Sequence, residues 1–212
     1  MPALMTVTER AIYAEYGRTL MIRALEGEDP DEFFNRICGE FENTRIEQNA
    51  QGDVFIMAPT GGESSNLNLK IGAQLAIWAE RNGKGQAFDS NALFLLPNGA
   101  KRGPDASWVS NARLRKLSNA ERRKFLRLVP EFVIELKSPS DRMADLKLKM
   151  EEWRSNGVEL GWLIDLDAQA VLVYRHGAET VQRLEQLTTL PGEGSVEGFT
   201  LNLLPVWQGL KF

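Results

Sequence analysis

Glu135 and Lys137 stand two residues apart in the run Glu131-Phe132-Val133-Ile134-Glu135-Leu136-Lys137, and Asp105 follows Pro104 at the head of the strand-forming stretch Pro104–Val109. Strand side chains alternate with a period of two, so Glu135 and Lys137 share one face. The run is otherwise apolar and reads as a central strand, where opposite charges are costly unless paired or used. A Glu135–Lys137 pair at the strand end is one reading. The other is a hard-cation site, with an Asp and a Glu on adjacent strands and a Lys beside them. Carboxylate oxygens suit Mg²⁺, with Mn²⁺ as substitute; such an ion keeps several waters and leaves room for phosphate oxygens. The Leu136 carbonyl adds a further oxygen. A metal there would acidify a bound water and neutralise charge developing on phosphorus. Lys137 would orient that water or stabilise transition-state charge.

Scarcity sharpens this reading. The chain has one cysteine, Cys38, and one histidine, His176. An internal disulfide, a Cys-rich zinc site, an HExxH metallopeptidase and a nuclease with several His ligands are all excluded. A Ser-His-Asp triad would have to use His176, in Tyr174-Arg175-His176-Gly177, which reads as a strand end entering a turn. The chemistry must therefore run on carboxylates, lysines and a hard metal. Metal-free glycoside cleavage by Asp105 and Glu135 is a distant alternative. The adjacent Lys137 and the lack of an aromatic-rich sugar groove argue against it.

The elements that must position these residues are readable from pattern. The chain has 212 residues, net charge −4, 43% hydrophobic and 25% charged residues. This suits one domain with a terminal appendage. No stretch approaches the roughly 18 apolar residues of a membrane helix. Glu9, Arg10, Glu15 and Arg18 interrupt the first 21 residues as no secretory signal would. A cytoplasmic protein is expected. Residues 1–29 read as an N-terminal helical extension, with a helix around Thr8–Leu25, and residues 30–212 as the main domain. Pro30 suits the first turn of a short helix over Asp31–Ile37.

Thr44–Gln48 and Val54–Ala58 read as a hairpin. A helix follows from Glu63 to about Arg81, with Leu67, Ile71, Leu75 and Trp78 on one face, ended by Asn82-Gly83. Gln86–Asp89 and Ala92–Leu96 are strand candidates, and residues 111–128 are helical in part. A helix capped by Ser140 or Asp141 runs to about Ser155 with Met143, Leu146, Met150 and Trp153 aligned. Trp162–Leu166 and Val171–Tyr174 form a second hairpin, with Val181–Leu184 a further strand. The order defines an α/β protein with a mixed β-sheet flanked by helices. No glycine-rich phosphate loop is present. Residues 101–150 carry 13 Lys+Arg against 6 Asp+Glu in an otherwise acidic chain, which fits an anionic partner or solvated helix faces equally.

Pro104-Asp105 followed by Glu135-Leu136-Lys137 resembles the PD-(D/E)XK motif of restriction-endonuclease-like nucleases. The surroundings are more specific. Pro130 to Ser140, Lys149-Met150-Glu151-Glu152-Trp153 and Gly157 to Asp165 resemble the Uma-two (Uma2) family of restriction endonucleases, over roughly residues 30–207. That family usually has tyrosine where Trp153 stands, a departure touching packing more than chemistry. The resemblance implies a restriction-endonuclease-like core and a Mg²⁺-dependent endonuclease acting on DNA, built as a homodimer to which the N-terminal arm could contribute. Asp105 and Glu135 would hold the metal with Leu136, and Lys137 would support the attacking water. Glu63 matches the acidic residue that the superfamily often carries on its first core helix. Its plain reading is a helix N-terminal carboxylate. Lys101 and Arg102, before the Pro-Asp turn, are candidates for phosphate contact. Lys147, Lys149, Arg122, Arg123 and Lys124 read as solvated surface. The alternative function is a non-catalytic nucleic-acid-binding or assembly module on a nuclease fold.

Overall fold

The computed structural model describes residues 14–16 and 19–210. The chain divides into two compact units, residues 1–59 with 98–102, and residues 60–97 with 103–212. This division cuts across the boundary at residue 29 expected from the sequence.

In the first unit, an antiparallel sheet takes the order Ala14–Tyr16, Thr19–Arg23, Asp53–Met57, Arg45–Gln48, Lys101–Arg102. The helix expected around Thr8–Leu25 is corrected within the described residues, which form a strand pair there; residues 1–13 lie outside them. The reason is tertiary. Leu20 and Ile22 stand in register with Ile56 and Val54, and a strand partner overrides local helix preference. The helix after Pro30 runs over Pro30–Glu40, with Asp29 accepting from the Asp31 and Glu32 amides at 2.9 Å each. The hairpin stands as expected, Arg45–Gln48 against Asp53–Met57.

Lys101 and Arg102 are used internally, which answers the phosphate expectation. Lys101 is buried, binds Asp31 at 2.6 Å, hydrogen-bonds Gln48 and lies 4.9 Å over the Phe34 ring. Arg102 reaches Glu47 at 3.4 Å. Arg23 grips the Asp53 carboxyl, and this hydrogen bond holds Asp53 below the usual carboxylate range.

The second unit carries a six-stranded mixed sheet in the order Gln182–Glu185, Ala170–Arg175, Leu160–Asp165, Phe132–Lys137, Ala106–Ser110, Gly85–Phe88. One pairing is parallel, Phe132–Lys137 with Leu160–Asp165. The strand read from the sequence as central is buried from Phe132 to Leu136. Alternation gives it two different faces. Phe132, Ile134 and Leu136 join the core with Leu67, Ile71 and Leu75 of the long helix Gly62–Asn82. Val133 and Glu135 face the helix Met143–Ser155, whose Trp153 donates to Glu135. Gly161 lies on that same face. A Cβ there would meet Met150 Cε at 2.5 Å, so the missing side chain lets this helix approach the sheet closely. Gly83, left-handed at φ 68°, ends the long helix as expected.

The cap of the Met143–Ser155 helix differs from expectation. Arg142 occupies the cap position, and its side chain makes no capping hydrogen bond. Asp141 turns back to accept from the Ser138 amide at 2.8 Å, closing the turn that leaves the central strand rather than the helix end.

The strand that follows Asp105 is fixed from its far side by Gly85. A Cβ on Gly85 would lie 2.3 Å from Trp108 and 2.5 Å from the Val109 carbonyl oxygen. Backbone cannot yield as a side-chain tip can. Gly85→Ala is therefore expected to destabilise the protein by about 1–3 kcal/mol through overpacking. Urea denaturation checks this, and an unchanged midpoint would contradict so rigid an approach.

Candidate active site

The site is built where the pairing of two strands ends. The last ladder pair between Ala106–Ser110 and Phe132–Lys137 is Ala106 with Ile134. Asp105 still donates its amide to the Ile134 carbonyl at 3.0 Å. Beyond that point its side chain takes over as acceptor, and Asp105 Oδ2 receives the Leu136 amide at 2.8 Å. In an extended strand the N–H and C=O of one residue point to the same edge, so the Leu136 carbonyl also lies on the Asp105 side.

Glu135 is 2% exposed. A carboxylate so placed needs partners, and two come from the Met143–Ser155 helix. Lys149 Nζ lies 2.8 Å from Glu135 Oε1, and Trp153 Nε1 donates to the same oxygen at 3.1 Å. Lys149 also donates to the Gly103 carbonyl at 2.8 Å, which joins the two strand ends across the site. Sequence reading placed Lys149 among surface lysines. The available signal was spacing: Lys149 and Trp153 are four apart, hence neighbours on a helix face, and Trp153 belongs to the buried stripe.

Lys137 does not pair with Glu135. Its ammonium binds Asp167 at 2.6 Å. That hydrogen bond holds Lys137 above its ordinary lysine range, against partial desolvation and with smaller help from the Asp167, Asp165 and Asp141 charges. The ammonium is thus charged at neutral pH.

Glu63 is exposed at the start of the long helix, and its Oε1 accepts the Leu210 amide at 3.1 Å. A Cβ on Gly209 would lie 2.4 Å from that oxygen, so the glycine lets the C-terminal segment close over it. Lys70 supports the same segment through the Pro205 and Gly209 carbonyls at 3.3 Å each. The residue of this helix that reaches Asp105 is Asn68, with Nδ2 at 3.4 Å from Oδ1, a contact sequence reading missed. His176 is exposed in its turn, as expected, with Nδ1 3.1 Å from the Arg154 carbonyl.

Among the described residues no three Asp, Glu, His or Cys side chains cluster as a metal-holding group. The donor set nonetheless fits a hard cation bound through few protein ligands, since Mg²⁺ is commonly held by one or two carboxylates. The Asn68 amide beside Asp105 adds an observation. Its Oδ1 is buried without a hydrogen-bond partner, an oxygen suited to a donor such as an ordered water.

A mixed sheet with helices against both faces, carrying two acids and two lysines where the central strands end, defines a restriction-endonuclease-like domain. The chain belongs to the Uma2 family, described as "Putative restriction endonuclease", whose profile matches residues 30–204. A crystal structure from Anabaena variabilis ATCC 29413, described as a "putative nuclease belonging to DUF820", shares the fold. Its TM-score is 0.72 at 20% identity, over 85% of this chain and 98% of that one. No curated protein matches the chain. No helix among the described residues is long and apolar enough to cross a membrane.

Two outcomes follow from these contacts. Trp153→Phe removes a donor from a buried carboxylate and should cost about 1.5–3 kcal/mol, read by thermal or urea denaturation. The Asp167–Lys137 pair should be fully present below the ordinary lysine pKa and lost as pH rises through the raised value. Titration of the Lys137 ammonium by NMR is expected to show that raised value, and Asp167→Asn should move it down.

Proposed function

We propose that the chain is a divalent-metal-dependent endonuclease that hydrolyses phosphodiester bonds, with DNA as substrate and Mg²⁺ as the ion, Mn²⁺ substituting. The observation that supports this reading most is the placement of Asp105 and Glu135 at one opening of the central ladder, with Asp105 locked to the Leu136 amide. Membership of a family described as "Putative restriction endonuclease" agrees with it.

In this reading Asp105 and Glu135 hold the ion, with the Leu136 carbonyl on the same edge. When bound, the ion would acidify a water and offset charge on the phosphate. Asp105 is pre-set for its task, since the Leu136 amide fixes its carboxylate. Lys137 supplies positive charge to the phosphoryl oxygens or orients the attacking water. Its present partner Asp167 is largely exposed, with a side-chain accessibility of 75%, and an open ion pair of this kind is weak. Lys137 can therefore exchange Asp167 for a phosphate at little cost. Asn68 steadies Asp105 from the long helix. Glu63, bound to the Leu210 amide, acts as an anchor for the C-terminal segment rather than as a metal ligand. The basic stretch over residues 113–127 offers exposed Arg123 and Lys124 for backbone phosphates. A homodimer, with one site for each strand, suits double-strand cleavage.

Plasmid DNA incubated with Mg²⁺ or Mn²⁺ tests the assignment. Wild type is expected to nick or cut it. Glu135→Gln and Asp105→Asn should both fall to background while circular dichroism shows the fold intact. Cleavage at wild-type rates by either variant would refute the assigned roles.

A further inference from the structure

The Lys149 ammonium occupies the position of a cation. Its Nζ is 2.8 Å from a Glu135 carboxylate oxygen and 2.8 Å from the Gly103 carbonyl oxygen. These are hard oxygen donors, one from each of the two segments that meet at the site. The side chain is 12% exposed and the Glu135 side chain 3%, so solvent screens their interaction little. The packing of the Met143–Ser155 helix does not by itself require a lysine here. The helix packs through Met150 and Trp153, both fully buried, and Lys149 extends from its flank to the carboxylate.

We propose that Lys149 is a built-in substitute for the divalent cation: it neutralises Glu135 in the metal-free protein and must give up that carboxylate for the ion to bind. This rests on the metal reading given above. Two positive charges cannot both take the same carboxylate oxygen at contact distance without strong repulsion. The lysine stem is long and flexible and can withdraw its charge. Trp153, which donates to the same oxygen, stays in place as a neutral partner. The arrangement serves two ends. The metal-free sheet does not carry an uncompensated buried carboxylate. Ion binding is coupled to movement of Lys149, so that the affinity for the ion alone is held down.

The test is direct Mn²⁺ and Mg²⁺ binding to the full chain, by calorimetry and by the metal-induced rise in melting temperature. Lys149→Met is expected to melt below wild type without metal, because Glu135 loses its counter-charge. It should bind Mn²⁺ at least about tenfold more tightly, the factor that 1.4 kcal/mol produces, with a larger metal-induced rise in melting temperature. Lys149→Gln removes the charge but keeps a donor for Glu135, and it should show the same tightening where the methionine variant folds poorly. Adding Glu135→Gln to either variant should abolish the gain. Equal or weaker Mn²⁺ binding by the Lys149 variants, with wild type binding normally, overturns this proposal and leaves the metal assignment standing. Absence of binding in wild type and both variants overturns the two together.

Discussion

Burial of the Glu135 carboxylate in an apolar strand is the constraint on which the second unit depends. The strand could have been filled with valine or isoleucine at that position, as it is at Val133 and Ile134. A charge there has to be met by groups brought from elsewhere, because the adjacent Ile134 and Leu136 are apolar and point to the other face, and Lys137 pairs with Asp167. The helix Met143–Ser155 meets it with an ammonium and an indole N–H one turn apart. The packing of this helix is therefore tied to the chemistry of one oxygen, and helix and strand cannot shift relative to each other without stranding a buried charge.

The same logic explains why the site sits where the ladder opens. Each strand amide needs an acceptor. Where the Ala106–Ser110 strand stops pairing, the Leu136 amide would lack one, and Asp105 supplies it from its side chain. One residue thus ends the pairing, satisfies the backbone and presents a carboxylate at a fixed position. The two lysines then divide the available roles. Lys149 is held inside against Glu135 and Gly103, while Lys137 is tied to the exposed Asp167.

Fold likeness carries less weight than these contacts for the question of activity, because one fold hosts many functions. The Anabaena variabilis structure establishes the architecture at 20% identity. The nuclease reading rests on the family and on the presence of both acids beside lysines.

The sequence by itself determined the elements with strong periodicity or punctuation: the long helix with its Leu67, Ile71 and Leu75 stripe and its Gly83 stop, the apolar strand around Glu135, and both hairpins. It also singled out Asp105 and Glu135, because a charge inside an apolar run and an acid after a proline are local anomalies visible in one dimension. The tertiary structure alone decided the partners. Residues 19–23 became a strand because Asp53–Met57 offered an edge to pair with. Lys137 turned to Asp167, which lies across the parallel pairing, and not to its strand neighbour Glu135. Lys149, indistinguishable in sequence from a solvated lysine, was drawn inside because only the folded sheet places a buried carboxylate beneath it. Periodicity records which face of an element is buried, whereas the pairing of charges depends on distances between segments 14 or more residues apart, and those are set by packing.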